Sequence, residues 1–173
     1  MLSLALLRHA KSSWDATDID DFDRSLNERG RAAAPVMGEA LNELNFEPQL
    51  ILCSSAKRTR ETLTLMQPSL KGSEEIAFDD QLYLTGPETL YARLKAVPIG
   101  TKSVLMIGHN PGMHGLALML LGTGDAKSIS RLEDKFPTAA LAIFTFPQVA
   151  WRDLTPASGH LEAFITPRDR ASA

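Results

Sequence analysis

LSLALLRHAKSSW, residues 2–14, is the stretch that decides the fold. Leu2 to Leu7 are apolar or small on both faces of an extended chain, as in a central strand of a parallel sheet. Arg8 and His9 then stand side by side at the tip, Lys11 follows, and no acidic residue arrives before Asp15. A buried strand that ends on two polar, basic side chains carries them to a rim.

Outward from that strand, extended and helical patterns alternate. Leu26–Leu44 has the helical spacing Val36, Met37, Ala40, Leu41, Leu44, and Ser25-x-x-Glu28 has the form of a capping box. Gln49–Cys53 is a second strand. Ser55 or a neighbour caps a helix that runs towards Gln67, before Pro68. Glu75–Phe78 is a short strand, and Thr85-Gly-Pro-Glu88 opens a helix to Val97. Ser103–Ile107 is a strand, and Asn110-Pro111 starts a helix to Leu121. Residues 122–137 are polar and loop-like. Ala140–Phe146 and Leu161–Thr166 are two last strands, close enough in sequence to form a hairpin at one edge. The order predicts an α/β protein of three layers, helices on both faces of a mostly parallel sheet. No repeat, low-complexity tract or linker interrupts it, so residues 1–167 are expected to be one domain and 168–173 a frayed tail.

Composition narrows the classes. The chain has 173 residues, enough for a substantial core, with 44% hydrophobic and 23% charged residues. A net charge of -3 gives no basis for general affinity to nucleic acid or anionic membrane. Cys53 is the single cysteine, so no intrachain disulfide forms and no cysteine-based metal site is expected. The N-terminal apolar run is short for a signal segment and lacks a basic flank, and Leu116–Leu121 is too short to span a bilayer. A cytoplasmic protein is expected.

Ligands of open parallel sheets bind beyond the C-terminal strand ends. After the first strand come Arg8 and His9; after the second, SSAKRTRET (54–62) with Lys57, Arg58 and Arg60; after the fourth, GHNPG (108–112) with His109. Two histidines and several cations from separate strand ends, with two helix N-termini, make a site for phosphate or a similar oxyanion. Each residue has a plainer reading. Lys57 and Arg60 read as a solvated helix face, and Ser12, Ser13, Ser54 and Ser55 as caps, because no G-x-S-x-G elbow is present. His109 and His114 are five apart, which does not suit a chelating helical pair, and His160 reads as a turn residue. No metal or other cofactor is expected.

LLRHAKSSWD (6–15) resembles the R-H-G signature of the histidine phosphatase superfamily, the phosphoglycerate mutase-like proteins. SSAKRTRET resembles that family's S-P-x-x-R-x-x-Q-T segment, and IGHNPG (107–112) its second-histidine motif. Short length, DFDRSLNERG (21–30) and GHNPG look most like the SixA branch of small phosphohistidine phosphatases. The resemblance implies a phosphoglycerate mutase-like fold and a phosphatase that works through a covalent phosphohistidine. It makes His9 the nucleophile, Arg8 and Arg58 the clamp on the phosphoryl oxygens, and His109 a further donor to them. Arg24 is expected to add positive charge from the same loop.

Three departures from the family pattern qualify the expectation. Ala10 replaces the glycine of R-H-G. Asp15 stands where the mutase-like pattern has an asparagine donor, and is expected to turn away towards Arg24 or Lys11. The loop FDDQLYLTGPET (78–89) offers Asp79 and Asp80 as general acids by position alone, while Glu88 reads as a capping partner of Thr85. A weak acid suits a phosphohistidine substrate, because protonated imidazole is a good leaving group and an alkoxide is not. Without long insertions to roof the rim, the expected substrate is a phosphorylated protein, such as a histidine-containing phosphotransfer domain. The alternatives are a small-molecule phosphomonoesterase that uses Asp79 or Asp80, and a non-catalytic binder of phosphorylated partners.

Overall fold

A computed structural model describes residues 1–72 and 75–171 of the chain. Its centre is a seven-stranded sheet formed by β1 (Leu2–Arg8), β2 (Leu50–Ser54), β3 (Glu75–Asp79), β4 (Ser103–Gly108), β5 (Leu121–Gly124), β6 (Leu141–Phe146) and β7 (Gly159–Ile165). The order across the sheet is β3-β2-β4-β1-β6-β7-β5. β1, β2, β3 and β4 pair in parallel. β6 pairs antiparallel with both β1 and β7, and β5 is parallel to β7.

Side-chain alternation splits the core between the two faces. Leu4, Leu6, Leu52, Met106 and Phe144 pack on one face with α3 (Pro87–Lys95), α4 (Gly112–Leu120) and Leu132 of α5 (Ala126–Asp134). Ala5, Leu7, Ile51, Cys53 and Ile107 pack on the other with α1 (Glu28–Glu43) and α2 (Lys57–Met66). Every side chain of β1 from Leu4 to Leu7 is fully buried. The strand is therefore a buried post, paired on both sides.

The structure corrects several boundaries. Residues 122–137, expected to be loop, contain part of β5 and all of α5, whose cap is the Asp125 carboxylate accepting from Ser128 N at 2.9 Å. β5 lies outside β7, so the last two strands pair as expected but do not form the edge. The cap of α1 is Asn27, which accepts from Gly30 N at 2.9 Å, not Ser25. α3 begins at Pro87 after Gly86, with no side-chain cap from Thr85. The segment expected to fray forms α6 (Pro167–Ala171), where Arg170 grips Glu43 with two hydrogen bonds of 2.7 Å. Ser172 and Ala173 lie outside the described residues.

One glycine is demanded by a close approach. A Cβ on Gly30 would lie 2.1 Å from the Lys11 carbonyl oxygen, which also accepts from Asn27 N at 3.0 Å. The start of α1 is thereby pressed against the loop that leaves β1, and Leu26 N is tied to Glu61 of α2 at 2.8 Å.

Candidate active site

Because β1 and β4 are parallel and in register, with Arg8 opposite Gly108, their C-terminal ends leave the sheet together. His9 and His109 follow immediately, and their ring centroids are 5.2 Å apart. α2 starts at the end of the neighbouring β2 and brings Arg58, which is only 2% exposed. Four residues from three separate stretches of sequence thus meet at one rim.

The hydrogen bonds fix which atoms are available. His9 Nδ1 is 2.7 Å from the Ala10 carbonyl oxygen. A carbonyl can only accept, so Nδ1 carries the proton and Nε2 keeps its lone pair. Burial pushes the His9 imidazole down to about 3; the Ala10 bond opposes this, while the charges of Arg58, Arg8 and Arg24 add to it. Burial likewise takes His109 down to about 3, helped by His9 and Arg58 and opposed by Asp21. Both rings are therefore neutral at ordinary pH. His109 Nε2 meets Ser54 Oγ at 2.8 Å.

Three buried nitrogens have no hydrogen-bond partner among the described residues: Arg8 Nε, Arg58 Nε and His109 Nδ1. Buried donors are normally satisfied, so nitrogens left orphaned beside a neutral imidazole mark a place for an acceptor-rich ligand. One Nη of Arg8 and both Nη groups of Arg58 are engaged. Arg8 Nη1 donates to Phe136 O at 3.1 Å. Arg58 donates from Nη1 to Asp21 O at 2.7 Å and from Nη2 to Asp21 Oδ2 at 2.9 Å.

Asp21 is the site residue that the sequence did not disclose. Its carboxylate also accepts from Arg24 Nε at 3.0 Å and from the Tyr83 hydroxyl. Burial opposes the charge, but the bonds from Tyr83, Arg24 and Arg58 hold this carboxyl well below the usual range. Tyr83 stands edge-on to His109, with centroids 5.4 Å apart. Asp21 lies inside DFDRSLNERG, which carried the resemblance to the small branch; an acid among two others and two arginines gave no chemical signal of its own. Thr62 and Ser54 were also missed. Thr62 Oγ1 accepts from Ala10 N at 3.0 Å and donates to Arg58 O at 2.7 Å.

The remaining candidates fall as follows. Arg24 is 7% exposed, held by Ser12 Oγ at 2.5 Å and Ser13 O at 3.2 Å, with Trp14 over its guanidinium. It pairs with Asp21; Asp15 is exposed and bonds only through its backbone N, to Ser13 Oγ at 3.2 Å. Asp79 accepts from Gln81 N and from Arg93 Nε, both at 2.9 Å, so both carboxylate oxygens are engaged. Asp80 accepts from the Ser55 hydroxyl. Glu88 sits in the first turn of α3. His114 bonds the Leu132 carbonyl at 2.6 Å and His160, in β7 rather than a turn, bonds Thr123. Asn110 does not cap α4 in the usual way: it accepts from His114 N at 3.2 Å and donates to Phe136 O at 2.8 Å. Cys53 is buried, and that burial pushes its thiol up to about 12. Among the described residues, no cluster of three or more His, Cys, Asp or Glu is placed to hold a metal ion. No helix among them is long and apolar enough to cross a membrane.

Comparison with known proteins places this geometry. A sequence profile of the histidine phosphatase superfamily (branch 1) matches residues 4–83. A candidate phosphohistidine phosphatase, SixA, from Agrobacterium tumefaciens superimposes with a TM-score of 0.79 and 31% identity, over 96% of this chain and 98% of that one. The chain belongs to the histidine phosphatase superfamily, a class of phosphatase hydrolases. Within it, a protein histidine phosphatase SixA complexed with tungstate shares the fold, with a TM-score of 0.76 over 97% of this chain and 99% of that one at 21% identity. The uncharacterized Mycobacterium leprae protein ML1117 is 34% identical over 167 residues, 94% of this chain and all of that relative.

Proposed function

We propose that the protein is a cytoplasmic, metal-independent phosphohistidine phosphatase that acts on phosphorylated proteins through a covalent intermediate on His9. The observation that supports it most is the His9–Ala10 bond, which leaves a neutral imidazole with Nε2 free beside three orphaned donors. In the first step the Nε2 lone pair attacks phosphorus, and the bond from phosphorus to the leaving imidazole breaks; that imidazole departs with a proton. In the second step water attacks the phosphohistidine, the P–N bond breaks, its electron pair returns to Nε2, and inorganic phosphate is released.

The chain's own groups supply the charge. Arg8 and Arg58 bring permanent positive charge to the equatorial oxygens, Arg58 with Nε as the one nitrogen that Asp21 leaves unbonded. With Ser54 Oγ donating to His109 Nε2, the His109 proton sits on Nδ1 and is offered to the same oxygens. Asp21 holds Arg58 by taking both Nη groups, which leaves Nε without a partner among the described residues. Tungstate on a SixA of the same fold is consistent with an oxyanion site here.

Rapid mixing with ³²P-labelled phosphohistidine peptide and alkaline quenching should trap label that is acid-labile and alkali-stable, and His9→Ala should trap none. A fully active His9→Ala variant refutes the mechanism. Dialysis against EDTA should leave turnover intact, and a stoichiometric metal whose removal stops turnover would overturn the metal-independent reading. Asp79→Asn and Asp80→Asn separate the substrate classes. Phosphohistidine turnover should change no more than a few-fold, whereas an alkyl phosphatase would lose about 10²–10⁴-fold at the residue that serves as its general acid.

A further inference from the structure

A cavity of about 840 Å³ opens between α1, α5, α6 and residues 135–139. It is separate from the phosphoryl pocket, since none of Arg8, His9, Arg58 and His109 lines it. Its floor is apolar, formed by Ala33, Val36, Pro137, Ala139 and Phe164. Its walls are basic: seven lysines and arginines face two acids, Asp134 and Asp169, in a chain whose net charge is -3. Asp169 is already taken by Arg131 at 2.6 Å. Among the described residues no ion pair engages the exposed Lys11, Arg29, Lys127 or Lys135. A concave surface of one sign focuses its field on ligands of the other.

The cavity opens on the same rim as the catalytic residues. Leu7 of β1 lies opposite Leu141 of β6, and Leu141 opposite Ile165 of β7, so β7 ends where β1 ends. Two strand spacings separate them, about 10 Å. The wall between is shared: Ala139 N donates to the carbonyls of both Arg8 and His9, at 3.1 and 3.0 Å, and Lys11 follows His9 by two residues. Three residues of extended chain, at about 3.3 Å each, cover that distance.

We infer that this groove docks an acidic segment of the phosphoprotein substrate, a few residues from the phosphohistidine. The inference rests on the phosphatase reading proposed above. The charge selects an acidic ligand, and the apolar floor suits peptide side chains. Single-stranded nucleic acid uses aromatic stacking platforms, and the one aromatic here, Phe164, is 5% exposed. A membrane surface would be met by a flat or convex basic face rather than a cleft.

Two phosphohistidine peptides of the same core, one flanked by six glutamates and one by six glutamines, test the inference. The wild-type enzyme should show about tenfold higher kcat/KM for the glutamate peptide, carried by KM and erased by high salt. The double variant Lys127→Glu/Lys135→Glu should erase the preference while leaving kcat/KM for the glutamine peptide and for p-nitrophenyl phosphate unchanged. Both lysines are exposed, and circular dichroism of the variant checks its fold. Equal kcat/KM for the two peptides, or a preference that survives the double variant, overturns the inference. Anisotropy of the unphosphorylated glutamate peptide reads the groove without turnover, so inactivity on every phosphorylated substrate would sink the phosphatase reading alone. In that measurement, binding lost in the double variant supports the groove, and tighter binding of a ten-residue oligothymidylate at the same lysines overturns it.

Discussion

β1, β2 and β4 run in one direction, and each exits the sheet at the same rim; β6 runs against them and meets that rim at its first residue. The difference shows in what each half contributes. The parallel strands deliver side chains: Arg8 and His9, then Ser54 and Arg58, then His109. The β6 side delivers backbone: Phe136 O receives Arg8 and Asn110, and Ala139 N holds the carbonyls of Arg8 and His9. A strand exit can point a side chain into a cleft because the chain leaves the hydrogen-bond ladder there. A strand entry that tucks under the exits is better placed to brace them.

The comparison predicts that the antiparallel half governs stability and the parallel half governs turnover. Phe144 of β6 is fully buried. Phe144→Ala should cost about 3–5 kcal/mol in urea unfolding, with kcat of the folded fraction within two-fold of wild type. A large loss of kcat at full folding would break the division.

Arg58→Ala should lower kcat/KM by about 10²–10³-fold on every phosphorylated substrate, and Arg58→Lys should restore little, because a point charge cannot reproduce the two-bond grip on Asp21 that fixes the guanidinium. Recovery of most activity by lysine would show that charge, not geometry, is what the site uses.

The third expectation concerns pH. His9 and His109 ordinarily titrate near 6.5 and are held near 3 in the folded protein. Between those values the unfolded chain binds protons that the folded chain does not, so folding stability rises with pH. The contribution is complete above about 6.5 and declines steadily as pH falls towards about 3. The rings are 5.2 Å apart and titrate as a pair. Urea midpoints measured from pH 7 down to pH 4 should fall with a slope that flattens in His109→Asn. A slope unchanged in His109→Asn would mean that the His109 ring is not held neutral by burial.

The smallest effect is expected at the far edge. Asp125→Ala removes the cap of α5, whose only buried residue is Leu132. Amide exchange should quicken along α5 and leave β1 and β4 unchanged. Acceleration at β1 would tie the two halves more closely than the packing does.

The same division explains what could be read from sequence. β1, β2 and β4 are buried on both faces, so they write continuous apolar runs, and their exits carry Arg8, His9, Arg58 and His109 in plain view. β5 is LGTG, four residues with two glycines, and the apolar face of α5 rests on Ile129 and Leu132 within a short polar stretch, which reads as loop despite its helical spacing. The caps at Asn27 and Gly86 lay near the expected positions, but several Ser, Thr and Asn residues competed and only tertiary contacts chose among them. Asp21 was hidden for a different reason. Its role depends on Arg24, three residues away, together with Arg58 and Tyr83, which lie 37 and 62 residues away in sequence. Local pattern holds no record of such a meeting.

The Thr62 hydroxyl joins two motifs that are far apart in the chain, receiving Ala10 N on one side and giving to Arg58 O on the other. The loop that follows His9 and the helix that carries Arg58 therefore share one pin. A valine here would keep the shape, lose both bonds, and release two motifs at once. Position 62 thus serves two segments, its own helix and a loop that lies 52 residues away in sequence.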